Sequence, residues 1–308
     1  MKISALVTIP PYASFIDEVA AHPIVSGLRL NTVMPLKESP REVLERLSRV
    51  SKKSAAGNGG LSHVPFWVDL KGRQLRVTEP ALPPFTEVKL SHSIRVQTPV
   101  DAYFSDGTER VRVAAVDGKR LILEDGPRRM VGPGESVNII HPSLEIQGTL
   151  TETDRAYLAA MKELKLTKVM LSYVESTEDV DEVNSLLPNA EVISKIETQK
   201  GLEFARKEKY KHGQLMAARG DLYVEVLYPH KIIPALKTII HADPQAIVAS
   251  RILDSLAWTP VPVSADISDV AFLMEIGYRT FMLGDQVCLR RETVLEALNL
   301  LEEMGKDF

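Results

Sequence analysis

Short apolar runs alternate with helix-like segments along most of this 308-residue chain, and that alternation restricts its fold more than any other feature. The runs are Ile3–Ile9, Gly27–Asn31, Pro65–Leu70, Lys168–Val174, the run through Val192 and Ile193 to Glu197, Leu215–Ala218, Ala246–Ser250 and Thr280–Leu283. Their length and flanking residues mark strands, and their near-continuous apolar character marks strands buried on both faces. Amphipathic segments stand between them. Ser39-Pro40-Arg41-Glu42 is a helix start, with Ser as cap and Pro at the first position, and Val43, Leu44, Leu47 and Val50 follow at helical spacing. Thr151 caps a helix with Tyr157, Leu158, Met161 and Leu164 on one face. Further helices are expected over Phe15–Ala21, Thr177–Leu187, His230–Ile240, Ile267–Ile276 and Arg291–Met304, and a loop over Ala55–Ser62. Eight strands, each followed by a helix except the third, form the α/β pattern of a (β/α)8 TIM barrel. A doubly wound open sheet has the same periodicity and is the alternative.

From about Val77 to Ile146 the texture changes. KLSHSIRVQT, ERVRVAAV and RLILE are short β-rich runs, and Asp106-Gly107, Asp117-Gly118 and Asp125-Gly126 are hairpin signals. The expected organisation is barrel over 1–76, a small antiparallel β lid domain inserted after strand three over 77–146, and barrel again over 147–308.

Composition bounds the function. With 44% hydrophobic and 25% charged residues, the chain can bury a large core. A net charge of −4 without a basic run argues against nucleic acid as a partner. A single cysteine, Cys288, leaves no intramolecular disulfide framework and fits a reducing compartment. No apolar run approaches a membrane span, and the apolar start before Pro10-Pro11 is too short for a secretory signal. A cytoplasmic protein is expected, with self-association left open.

The strand ends carry the chemistry. Barrel active sites are built at the carboxyl ends of several strands. Those ends deliver Arg29 and Asn31, Asp69 with Lys71, Lys195 with Glu197, Arg219 with Asp221, and Ser250. Lys195 and Glu197 project to one side because strand side chains alternate. Each charged pair alone is also what a solvated barrel rim carries. Together, Glu197 and Asp221 offer the hard oxygen ligands that Mg²⁺ or Mn²⁺ prefers, completed by substrate oxygens. Such a mouth suits a phosphorylated or carboxylated substrate, and the insertion after strand three would hang over it as a lid. No G-x-x-x-x-G-K-[ST] loop is present, so a nucleotide would bind by another route.

At these residues the sequence resembles the pyruvate kinase family. GLRLN (27–31), VDLKGRQLR (68–76), LTETDRAYL (150–158), ISKIETQKGLEF (193–204), MAARGDLYVEV (216–226), ASRILDSL (249–256) and DISDVA (266–271) resemble its motifs in family order. The resemblance implies phosphoryl transfer between phosphoenolpyruvate and ADP through enolpyruvate. By resemblance, Glu197 and Asp221 are divalent-metal ligands, and Lys195 stabilises the transferring phosphoryl group and the enolate. Arg29 and Arg76 are phosphate- and nucleotide-side arginines, and Asn31 and Asp69 are monovalent-cation ligands. Gly220 and Asp221 offer backbone N–H groups to the substrate carboxylate, and Ser250 stands near the carbon that is protonated.

The departures weaken the potassium and nucleotide half. Val33-Met34 replaces the family's Ser-His, Leu70 a threonine, Gln74 a glutamate linked to potassium dependence, and Glu175 an arginine. Glu135, in Glu135-Ser136-Val137-Asn138, takes the place of a nucleotide-side lysine, and Gly284-Asp285 replaces Ser-Gly-Glu. The resemblance ends with the eighth helix, without a counterpart of the family's C-terminal domain. Two alternatives therefore stand beside a minimal pyruvate kinase. One is a metal-dependent lyase, aldolase or decarboxylase acting on pyruvate or another 2-oxoacid through an enolate; the other is a non-catalytic relative.

Overall fold

The computed structural model describes residues 2–34, 36–57, 64–83, 87–105, 107–207 and 213–308. The chain opens with β1 (Ser4–Thr8), α1 (Ile16–Ala20), β2 (Val25–Asn31), α2 (Pro40–Gly57) and β3 (Phe66–Leu70). Short strands follow: β4 (Glu87–Lys89), β5 (Ile94–Arg95), β6 (Val100–Phe104), β7 (Glu109–Asp117), β8 (Arg120–Asp125), β9 (Val137–Asn138) and β10 (Glu145–Ile146). The alternation then resumes with α3 (Glu152–Leu164), β11 (Lys168–Leu171), α4 (Thr177–Leu186), β12 (Glu191–Ile196), α5 (Gln199–Lys207), β13 (Gln214–Ala218) and α6 (Arg219–Glu225). It ends with α7 (Ile232–Ala242), β14 (Ile247–Ala249), α8 (Ser264–Glu275), β15 (Thr280–Leu283), α9 (Asp285–Cys288) and α10 (Arg291–Asp307).

The doubly buried runs close into a parallel barrel in the order β1-β2-β3-β11-β12-β13-β14-β15, and β15 returns to β1 with Leu283 opposite Val7. The open sheet is thereby excluded. Alternation along each strand sorts the side chains into two layers. Leu6, Trp67, Met170, Ile193, Met216, Ile247 and Met282 fill the barrel interior. Leu28, Leu30, Val68, Leu171, Ala217, Val248 and Phe281 face outward onto Val43, Leu44, Leu158, Ile239, Leu273 and Leu298 of the helices. Each fully buried aliphatic or aromatic side chain contributes about 1.5–3 kcal/mol relative to exposure. Gly27 makes room for the interior layer: a Cβ there would lie 2.4 Å from Leu6 Cδ2 and 3.1 Å from the Trp67 ring.

Between β3 and β11, the antiparallel sheet β4-β8-β7-β6-β9 and the pair β5-β10 bury their own core, including Leu90, Phe104, Val113, Leu121 and Val137. Gly118 (φ +58°) turns β7 into β8, and Gly107 (φ +85°) stands between β6 and β7. Asp106 lies outside the described residues. Asp125-Gly126 joins no hairpin, because the chain runs from β8 to β9 without an adjacent return strand. KLSHSIRVQT is two strands rather than one, broken at Ser91–Ser93, where Ser91 Oγ bonds His92 Nδ1 at 2.9 Å.

The run Lys168–Val174 is strand only to Leu171, since Tyr173 adopts a left-handed conformation (φ +57°) that ends the ladder. α2 continues through Gly57, and positions 58–62 of the expected loop lie outside the described residues. Among the described residues no helix is long and apolar enough to cross a membrane.

Candidate active site

The carboxyl ends of the barrel strands enclose a cavity of about 510 Å³. Arg29, Asn31, Arg76, Lys195, Glu197, Gly220, Asp221 and Ser250 all line it, joined by Gln74, Glu135 and Asp285. Arg219 and Lys71 are not among its lining. Arg219 is a brace, paired to Asp269 at 2.8 Å and donating to the Ser250 carbonyl at 2.7 Å. Lys71 lines a separate cavity.

At the floor lies a chain of buried charges. Asp69 Oδ2 takes Arg29 Nε at 2.8 Å and Nη2 at 2.6 Å. Arg29 Nη1 also donates to Thr8 Oγ1 at 2.8 Å and to Asp285 Oδ1 at 2.9 Å. Lys195 Nζ sits 2.8 Å from Ser172 Oγ and 3.4 Å from both Asp69 Oδ1 and Glu197 Oε1. Burial alone would favour a neutral lysine, but Asp69 and Glu197 outweigh it and hold Lys195 above its ordinary value. For Asp69, burial is likewise outweighed, by Lys195 and Arg29, and its carboxyl stays ionised. Asn31 is engaged as well: its Nδ2 donates to Asp285 Oδ2 at 2.7 Å and its Oδ1 accepts from the Val33 amide at 3.1 Å.

The second group is acidic. Arg219-Gly220-Asp221 forms the first turn of α6 rather than a strand end, which points Asp221 toward the Tyr173 turn. Asp221 Oδ1 accepts from Tyr173 Oη at 2.8 Å and Asn138 Nδ2 at 3.2 Å, and Oδ2 accepts from Gln74 Nε2 at 2.8 Å. Glu197 Oε2 accepts from the Tyr173 amide at 2.7 Å. Burial, only partly offset by Lys195, and the neighbouring Asp221 push Glu197 up to about 7. One helical turn past Asp221, Glu225 accepts from Asn138 at 3.1 Å, and burial pushes it up to about 8.

Glu135 stands on the opposite wall. It takes Arg129 at 2.7 Å and 3.0 Å, Ser105 Oγ at 2.6 Å and the Gly132 amide at 3.0 Å. Arg129 and Ser105 overcome its burial and hold it down to about 2. Around the cavity Arg29, Arg76, Lys195 and Arg251 face Glu135, Glu197, Asp221, Asp254 and Asp285, four cations against five carboxylates.

That surplus, concentrated where Glu197 and Asp221 crowd each other, fits a bound cation. Each carboxylate accepts hydrogen bonds yet has lone pairs to spare for a metal. Among the described residues no cluster of three or more His, Cys, Asp or Glu is placed to hold a metal, so two carboxylates with substrate oxygens are the donor set available. The sites expected for a monovalent cation do not fit in the same way, because Arg29 and Lys195 already neutralise Asp69.

Tyr173, Ser172 and Asn138 are site residues that sequence reasoning passed over. Tyr173 and Ser172 sat inside an apparent strand, and Asn138 reaches Asp221 across 83 residues of chain. No local signal marks Tyr173 or Ser172, and Asn138 showed only as the end of the Glu135–Asn138 segment.

Comparison with known proteins points to one family. The family model "Pyruvate kinase, barrel domain" matches residues 85–288. A pyruvate kinase of Methanocaldococcus jannaschii is 27% identical over 99% of this chain and 69% of its own length. One of Borreliella burgdorferi is 24% identical over 92% of the chain and 62% of its own length. One of Thermoplasma acidophilum is 28% identical over 99% of the chain, which spans 58% of that relative. A closed parallel barrel, an antiparallel sheet set between its third and fourth strands and a family match over most of the length converge: the chain belongs to the pyruvate kinase family.

Proposed function

We propose that the mouth transfers a phosphoryl group between phosphoenolpyruvate and ADP by way of enolpyruvate, with Glu197 and Asp221 holding Mg²⁺ or Mn²⁺. The observation that carries this reading is the buried Lys195 ammonium, 3.4 Å from Glu197 and backed by Ser172 and Asp69. A divalent ion at the two carboxylates supplies charge neutralisation for substrate oxygens.

The remaining work falls to the chain. Lys195, charged throughout the neutral range, faces the oxygen on which charge develops as the phosphoryl group departs, where a preorganised donor is most effective. Arg29 is fixed by Asp69 and Thr8, and a substrate phosphate would exchange for its half-exposed partner Asp285. Arg76 donates to the Gly134 carbonyl at 2.6 Å, and its guanidinium lines the mouth where a nucleotide phosphate would pass. The Gly220 and Asp221 amides lie in the first turn of α6, where N–H groups have no intrahelical partner and suit the substrate carboxylate. Ser250, held at φ +70° with its carbonyl clamped by Arg219, would deliver the proton to the methylene carbon of enolpyruvate. Potassium has no role in this scheme, since Asn31 and Asp69 are satisfied by protein groups.

A second reading is supported by Glu135, a carboxylate fixed by Arg129 on the wall where a nucleotide phosphate would pass. It favours enolate chemistry on pyruvate or another 2-oxoacid without ADP. Solvent deuterium uptake at the pyruvate methyl in the presence of Mg²⁺ or Mn²⁺ tests what both readings share. Uptake that disappears in Lys195→Met supports enolate formation at this mouth; no uptake by the wild-type protein counts against both.

A further inference from the structure

A second cavity, of about 540 Å³, shares Arg76 with the mouth. Its walls come from the turn after β3, the β4–β5 connection, the β7–β8 turn and the start of α3. Lys71, Arg76 and Lys119 bring three cations to it. Among the described residues neither lysine forms an ion pair. Glu152 is the one carboxylate in its lining and pairs with neither lysine, and Asp154 behind it is consumed as a capping group, accepting from the Lys71, Gly72 and Thr151 amides. Lys71 is accordingly pushed below its ordinary value, by burial and by the like charge of Arg76, against the pull of Asp154.

His92, 5% exposed, also lines this cavity, and its Nε2 has no hydrogen-bond partner. The Thr149 main chain interacts with the ring but leaves Nε2 without a hydrogen bond of good geometry. Arg76 Nε is a second buried donor without a partner. Burying polar nitrogens unpaired is unfavourable, and an acceptor in the cavity removes that cost. Three cations against one carboxylate, two orphaned nitrogens and a helix start are what a multiply charged oxyanion needs, and the space exceeds a single phosphate group.

We infer that this cavity binds a small phosphorylated anion, separately from the mouth and whichever reaction the mouth performs. The anion would tie Lys71 and α3 of the barrel to Arg76, His92 and Lys119 beside the antiparallel sheet.

The test is a titration of the histidine-labelled full chain with inorganic phosphate, at constant ionic strength and without divalent cation, following the His92 ring resonance by NMR. The His92→Gln spectrum assigns the signal. A saturable His92 shift is expected, with affinity lowered at least about tenfold in the Lys71→Gln/Lys119→Gln double variant, since two cations are lost from the site. Lys195→Met, which removes a cation from the mouth, is expected to leave the affinity unchanged. Absence of a saturable shift, unchanged affinity in the double variant, or loss of binding in Lys195→Met would each overturn the inference. If the double variant does not fold, Lys119→Gln alone on its exposed turn replaces it, with weakened binding expected and undiminished binding contradictory.

Discussion

Gln74 Nε2 donates to Asp221 Oδ2 at 2.8 Å, while the Gln74 carbonyl accepts from Arg76. An amide satisfies both neighbours, whereas a carboxylate could accept from Arg76 but would repel Asp221. Gln74→Glu should therefore destabilise the fold by about 1–3 kcal/mol, the cost of a lost buried hydrogen bond. It should also create a demand for a monovalent cation. Thermal unfolding in KCl and NaCl at equal ionic strength checks this: the wild type should not discriminate between the salts, and the variant should be stabilised by KCl. Strong activation of the wild type by K⁺ over Na⁺ would contradict the view that Arg29 and Lys195 already balance Asp69.

Glu197 is buried beside Asp221 and near Lys195. Glu197→Gln keeps its volume and removes one charge, so the protein should fold with stability close to wild type. Activity should fall by at least about a hundredfold, as when a charge-stabilising group is lost from an active site. Its dependence on Mg²⁺ or Mn²⁺ concentration should flatten. A variant with wild-type activity and an unchanged metal titration would remove Glu197 from the ligand set.

Arg29 and Asp69 form a buried pair whose partners are 8% and 3% exposed. Arg29→Met leaves Asp69 with Lys195 as its sole cation and frees Asp285. Breaking such a pair from one side costs about 3–5 kcal/mol. Urea unfolding should show a loss of that size, larger than for any exposed pair such as Arg41–Glu163. Loss of less than about 1 kcal/mol, the range of surface pairs, would mean that Arg29 contributes little beyond its charge.

How much of this was legible in the sequence differs by residue. The barrel was readable because strands buried on both faces leave unbroken apolar runs. Lys195 and Glu197 were readable because they end such a run on one face. Tyr173 was not: its left-handed backbone is a tertiary outcome, set by a phenol donating to Asp221 and an amide donating to Glu197. Asp285 was visible only as a departure from a motif. Its capture of Arg29 spans 256 residues, beyond anything periodicity reports.

His92 gives a pH dependence. Burial, Lys119 and Arg73 push it from 6.5 down to about 4, so the folded chain holds it neutral. Between those values the unfolded chain binds more protons than the folded one. Stability is thus fully present above pH 6.5 and is lost as pH falls toward 4, by about 1.4 kcal/mol per unit at most. His92→Gln should remove that share of the slope. Urea unfolding of both proteins at neutral and mildly acidic pH measures it, and identical slopes would contradict a buried neutral His92.

The central claim is phosphoryl transfer at the mouth, and pyruvate release from phosphoenolpyruvate tests it most directly. The measurement is made with Mg²⁺ or Mn²⁺, with and without ADP, following pyruvate and ATP together. Release that requires ADP, with ATP formed in equal amount, is the predicted result. No release under either condition, or release indifferent to ADP, would contradict it.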